Sequence, residues 1–120
     1  MKFRSKFEDK FNRLTLGKLE YEQQKFEYIV PASKHKYTPD FHISGTNIYI
    51  ETKGIWTAQD RAKHLLMKAQ HPELRIILCF YRSNCPITKS SKTTYETWAD
   101  KNGIEHMTIP EVLELIKQLT

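Results

Sequence analysis

The chain has 120 residues, with nineteen Lys and Arg against fourteen Asp and Glu, for a formal charge of +5. This length allows one domain around one modest core, and no apolar run reaches the length of a membrane span, so a soluble intracellular protein is expected. The basic balance favours polyanionic partners. Two cysteines without CxxC spacing point away from a disulfide framework and a zinc knuckle, and five scattered histidines lack metal-ligand spacing.

Phe3, Phe7, Phe11 and Leu14 recur at helical spacing, and Gly17 stands where a C-cap would close that helix. Leu19 to Val30 carries Tyr21, Phe26, Tyr28 and Ile29 among charged residues and reads as one long strand or two short ones. Thr38 to Ile43 and Ile48 to Thr52 read as hairpin strands joined by a turn at Ser44-Gly45-Thr46-Asn47. Thr57 and Asp60 form a capping box, followed by an apolar helical face of Ala62, Leu65, Leu66 and Ala69 up to His71-Pro72. Arg75 to Tyr81 has the length and apolarity of a buried central strand, and Arg82 to Lys92 reads as a loop. Thr93 to Lys101 is helical and stops at Asn102-Gly103. Thr108 to Glu111 caps a last helix with Val112, Leu113, Leu115, Ile116 and Leu119 on its apolar side. The order predicts a mixed α/β fold, a central sheet flanked by helices, in one domain spanning 1–120.

The chemistry concentrates in the hairpin. Pro39-Asp40, ten residues, then Glu51-Thr52-Lys53 sets one carboxylate beside another and puts Glu51 and Lys53 on one strand face. Two hard oxygen ligands and an ammonium suit Mg²⁺ and a phosphodiester, while a solvated, charge-bearing hairpin is the plainer alternative. Lys53 could position a water or stabilise charge on phosphorus. Periodicity alone pairs Glu8 with Arg4 one helical turn away. Arg61, Lys63 and His64 on the next helix are read either as a solvated face or as a phosphate clamp, with Lys34 and Lys36 extending it from a loop. Trp56 reads as a core anchor, and Tyr95 and Trp98 as packing residues.

The sequence around these positions carries a wider pattern. Phe3-Arg4-Ser5, Glu8-Asp9-Lys10, Pro31-Ala32-Ser33, His35 and Tyr37-Thr38-Pro39-Asp40-Phe41 resemble the phage endonuclease I family, which resolves four-way DNA junctions. So do Glu51-Thr52-Lys53-Gly54, Trp56, Asp60-Arg61, Lys63-His64-Leu65-Leu66 and Gln70-His71-Pro72-Glu73-Leu74. The resemblance implies a restriction-endonuclease-like nuclease of the PD-(D/E)xK superfamily, acting on branched DNA as a domain-swapped homodimer. It implies Mg²⁺, with Mn²⁺ substituting, held by Asp40, Glu51 and the Thr52 carbonyl. Glu8 becomes a catalytic carboxylate that helps bind a second cation, and Lys53 completes the catalytic set. A phage-encoded enzyme would work in the host cytoplasm, with no membrane partner. A less selective nuclease of the superfamily and a non-catalytic DNA-binding protein stay open as alternatives.

Overall fold

Lys6–Leu14 form helix α1, which starts later than Phe3 because Ser5 takes the N-cap and accepts the Glu8 N–H at 3.0 Å. Phe3 lies outside the helix and meets the Tyr21 ring edge-on at 4.4 Å. Leu16 and Gly17 both turn left-handed (φ 59° and 65°), and the Gly17 N–H reaches the Asn12 carbonyl, closing the helix past its Thr15 cap. The structure, a computed structural model, describes residues 3–30 and 33–120. Pro31 and Ala32, which took part in the resemblance, lie outside the described residues.

The stretch to Val30 resolves into two short strands in different sheets, β1 (Glu20–Tyr21) and β2 (Phe26–Val30). Strand β3 (Ser33–Tyr37) pairs antiparallel with β2, so Lys34 and Lys36 stand on a strand and not in the expected loop. The expected hairpin strand from Thr38 shrinks to β4 (Phe41–His42), because Thr38-Pro39-Asp40 leaves the ladder where proline offers no donor. Strand β5 (Ile48–Lys53) follows the turn, with Gly45 at φ 79°. Helix α2 (Ala58–Gln70) opens on the Thr57–Asp60 capping box with both reciprocal bonds made. Strand β6 (Arg75–Phe80), helix α3 (Tyr95–Lys101, N-cap Thr94) and helix α4 (Ile109–Leu119, with a Thr108–Glu111 capping box) complete the order.

The main sheet has the order β1-β4-β5-β6 and is mixed: β4 lies antiparallel to both neighbours, while β5 and β6 run parallel across the α2 crossover. Strand β6 ends the ladder and is not central. Its continuous apolar run is explained by cover on both faces and by residues 105–107 along its outer side, where Leu78 bonds both Glu105 and Met107. Alternation assigns the two faces. Ile48, Ile50, Ile77 and Cys79 pack with Phe11 of α1 and with Val112 and Ile116 of α4. Leu78 and Phe80 pack oppositely with Trp56, Tyr95 and Ala99, while Tyr28, Tyr37 and Met67 join α2 to the small sheet. Trp56 is fully buried and edge-on to Tyr95 and Trp98, a core anchor as expected. Cys79 is buried and Cys85 half-buried, both free thiols. Among the described residues no helix is long and apolar enough to cross a membrane.

The face of α2 is reversed from the expectation. Arg61, His64 and Met67 are buried, whereas Leu65 and Ala69 are exposed and Leu66 half-buried. The surface beneath α2 is aromatic, and flat polar rings and a guanidinium match it better than branched aliphatics do. Arg61 donates to the Trp56 carbonyl at 2.8 Å and lies 5.6 Å from the Trp98 ring centre. His64 sits edge-on to Tyr37, with both ring nitrogens buried and without a hydrogen-bond partner among the described residues.

Candidate nuclease site

Asp40 is delivered by the short break between β3 and β4, and its backbone is fully engaged. Its N–H donates to Glu51 Oε1 (3.2 Å), and its carbonyl accepts the Glu22 N–H (2.8 Å). Its Oδ2 accepts both the backbone N–H and the hydroxyl of Thr52, each at 2.9 Å, which fixes the Thr52 peptide beside the carboxylate. Glu51 alternates out of β5 away from Ile50 and accepts the Tyr37 hydroxyl at 3.2 Å. Lys53, on the same strand face, holds its Nζ 3.9 Å from Glu51 Oε2 and 3.4 Å from Asp60 Oδ1. The capping box that starts α2 thus also braces the lysine.

Glu8 reaches the cluster from α1. It is buried, accepts the Tyr21 hydroxyl at 3.1 Å, and shares with Asp40 and Glu22 a space in which one carboxylate oxygen from each lies within 4.8 Å of the others. The expected Arg4–Glu8 ion pair is replaced by Arg4–Glu22 at 2.6 Å and Arg4–Asp40 at 3.3 Å, because Glu8 turns inward while Arg4 lies outside the helix. The structure therefore brings Glu8, Asp40, Glu51, Thr52 and Lys53 together within one chain.

Four residues of this cluster were not among the site residues expected from the sequence: Arg4, Tyr37 and Asp60, which stood out there for other reasons, and Glu22. Glu22 occupies the left-handed region at φ 48°, a conformation that costs a non-glycine residue on the order of 1–3 kcal/mol. No spacing rule singles it out, since only the β1–β4 pairing carries it to Asp40.

Of the five expected phosphate contacts, Lys63 stays near the cluster, 4.0 Å from Asp60 and 5.3 Å from the Tyr37 ring centre. Lys34 and Lys36 are exposed on β3, with Lys34 3.5 Å from Glu27. Arg61 and His64 do not present themselves to solvent, which removes them as a phosphate clamp. Burial, and then the charges of Lys63 and Lys53, push His64 down to about 3, so it is neutral at pH 7. Its folded value lies below the unfolded 6.5, so the unfolded chain binds the extra proton and stability falls as pH drops below 6.5. Urea unfolding of the wild type and His64→Phe should show the gap between them shifting towards the variant by about 2 kcal/mol from pH 7.5 to pH 5. A gap independent of pH would contradict a neutral buried His64.

The electrostatics of the carboxylates run the other way. Burial first, then Glu51 and Glu8, hold Asp40 well above the usual carboxylate range. Burial pushes Glu51 up to about 7 against the opposing pull of Lys53 and Lys63. Buried hard oxygen donors fit a divalent cation such as Mg²⁺: one oxygen each of Glu8, Glu22 and Asp40 converge closely enough to hold it, with Glu51 adjoining them through the Asp40 N–H. Both folded values exceed the unfolded ones, so the metal-free fold loses stability as pH rises from about 4 through about 8. Asp40→Asn should raise metal-free stability at pH 7.5 by about 1–3 kcal/mol. Mg²⁺ should raise the Tm of the wild type and barely move that of the variant. Calorimetry showing a destabilised variant, or equal Mg²⁺ shifts, would contradict this electrostatic picture.

A family model described as phage endonuclease I matches residues 1–114. Endonuclease I of Escherichia phage T7 is 45% identical over 106 residues, covering 86% of this chain and 70% of that protein. Endodeoxyribonuclease 1 of Enterobacteria phage T3 is 46% identical over 105 residues, covering 85% of this chain and 68% of that protein. With Asp40, Glu51 and Lys53 gathered at the carboxyl end of β5 and a match running through nearly the whole sequence, the chain belongs to the phage endonuclease I family and is a nuclease.

Proposed function

We propose that this protein is a metal-dependent endonuclease that cuts branched DNA, four-way junctions foremost, by phosphodiester hydrolysis. The observation that carries the reading is the buried Asp40–Glu51 pair beside Lys53, two buried carboxyl groups that no DNA-binding role requires next to phosphate. The name of the phage T3 relative, an endodeoxyribonuclease, supports deoxyribonucleic acid as the substrate class. The branched structure rests on the resemblance of Tyr37 to Phe41 and Glu51 to Trp56 to the family's pattern. In this reading the fold is restriction-endonuclease-like, one nuclease domain covers the chain, and the work is done inside the infected host.

Asp40, Glu51 and the Thr52 carbonyl form the ligand set for Mg²⁺, with Mn²⁺ as a substitute, and Glu8 helps to hold a second cation beside Asp40. When bound, the cation supplies Lewis-acid polarisation of the phosphoryl oxygen. Lys53 presents an ammonium at the same strand end, where it can orient the attacking water or offset charge building on phosphorus. Asp60 keeps that ammonium in place through the 3.4 Å contact. Lys63, Lys34 and Lys36 contribute phosphate contacts that position DNA without reading its sequence. Two symmetry-related strands must be cut to resolve a junction, so two copies form a two-fold homodimer that exchanges N-terminal elements.

The test is binding of a four-way junction and of linear duplex with the same arm sequences, across a salt series. Affinity should fall steeply with salt, the log–log slope reporting the phosphates neutralised, and the junction should stay favoured throughout. Equal affinity for both would replace the junction reading with a less selective nuclease.

A further inference from the structure

Tyr81 follows β6 directly and is 58% exposed, an aromatic ring on the surface beside the candidate site. Its position is tightly set. The Tyr81 N–H donates to the Lys53 carbonyl at 2.9 Å, which ties its backbone to that of the site lysine. The Phe7 ring meets it edge-on at 5.2 Å, and the Lys10 ammonium stands 5.7 Å from its centre. Both contacts come from α1, the helix that also carries Glu8. The ring is therefore held between the two elements that build the site, yet more than half of its surface faces solvent.

Packing alone would favour covering such a ring, since its edge contact with Phe7 already begins to do so. Ile55 is also uncovered, 76% exposed two residues beyond Lys53. Because β5 and β6 are parallel, with Lys53 opposite Phe80, both exposed apolar side chains leave the sheet at the same end, where the carboxylates and Lys53 lie. Lys10 and Lys53 bring positive charge to that end, which suits a polyanion carrying flat apolar rings.

We propose that Tyr81 stacks on an unpaired or splayed nucleobase within a few positions of the scissile phosphate, making it a positioning residue for the DNA strand. The contact rests on the nuclease reading above and adds to it a base-level contact that phosphate-binding lysines do not provide. A base has a π-face whatever its identity, so stacking holds the strand without demanding a sequence, which is the requirement for acting on branch geometry. A base turned out at a branch point would supply the exposed face that a continuous duplex keeps stacked.

The experiment pairs protein and DNA changes. Junctions carrying a single abasic nucleotide, walked through three positions on each side of the cut, are bound and cut under single-turnover conditions by the wild type, Tyr81→Leu and Tyr81→Trp. Leucine keeps apolar contact with Phe7 and Lys10 but removes the aromatic face. The wild-type row on intact junction reads the proposed nuclease function by itself, and the remaining rows read the stacking contact. Expected is a roughly tenfold loss of affinity for Tyr81→Leu on intact junction, with Tyr81→Trp at or above wild type. One abasic position should weaken the wild type by a similar factor and leave Tyr81→Leu no worse, since both changes remove the same contact. Wild-type binding unaffected by every abasic position, or Tyr81→Leu losing equally on intact and abasic DNA, would overturn the contact even where cleavage is normal.

Discussion

Asp40→Ala is expected to slow single-turnover cleavage of a labelled junction by about a thousandfold or more while leaving DNA affinity equal or higher. Each tenfold in rate is about 1.4 kcal/mol, and the loss of a cation ligand at a phosphoryl centre removes several. Asp40 also organises its surroundings, since Thr52, Arg4 and the Glu22 backbone all converge on it. Binding should survive because the phosphate contacts come from lysines that the substitution leaves in place, and any charge Asp40 does carry only repels phosphate. Glu51→Ala should behave alike. Lys53→Ala should also cut slowly with intact binding, its defect lying in charge compensation. A near-normal rate for Asp40→Ala would mean that the chemistry resides elsewhere.

The second large effect concerns how Glu8 reaches the cluster. In the single chain α1 folds back on its own sheet, and Glu8 sits with Asp40 and Glu22. In the proposed exchanged dimer the same contact is rebuilt between copies, so Glu8 of one protomer serves Asp40, Glu51 and Lys53 of the other. Glu8→Ala and Asp40→Ala proteins, each inactive alone, are refolded together. With shared sites, one site of the heterodimer collects both lesions and the other is wild type, so nicking returns to roughly a quarter of the wild-type site concentration for random pairing. With sites inside single chains, every site keeps a lesion and the mixture stays dead. Heterodimers demonstrated by differential tagging, yet without nicking, would rule out the exchange.

The parts legible in the sequence were those set by local chemistry. The capping boxes at Thr57–Asp60 and Thr108–Glu111 announce helices because the reciprocal bonds need only neighbours three residues apart. The turn at Gly45 and the apolar strand after it fix β5, and with it the placement of Glu51 and Lys53 on one face. What failed depended on tertiary surroundings. Ser33-Lys34-His35-Lys36-Tyr37 looks like a loop because four of its five residues are exposed, and only Tyr37 marks a buried face. The reversed face of α2 has the same origin: Arg61 and His64 look like surface residues until Trp56, Trp98 and Tyr37 are assembled beneath them. Within the cluster, spacing gave Asp40, Glu51 and Lys53. Glu8 needed the family's pattern, and Glu22 and Arg4 needed the fold.

The most direct test of the nuclease centre is single-turnover cleavage of an end-labelled four-way junction by the wild-type protein as Mg²⁺ is titrated from excess chelator. Expected is no cutting in chelator and a saturable rise with Mg²⁺, reproduced by Mn²⁺, on a substrate bound throughout. Cleavage at full rate in chelator would contradict a metal-dependent centre at Asp40 and Glu51.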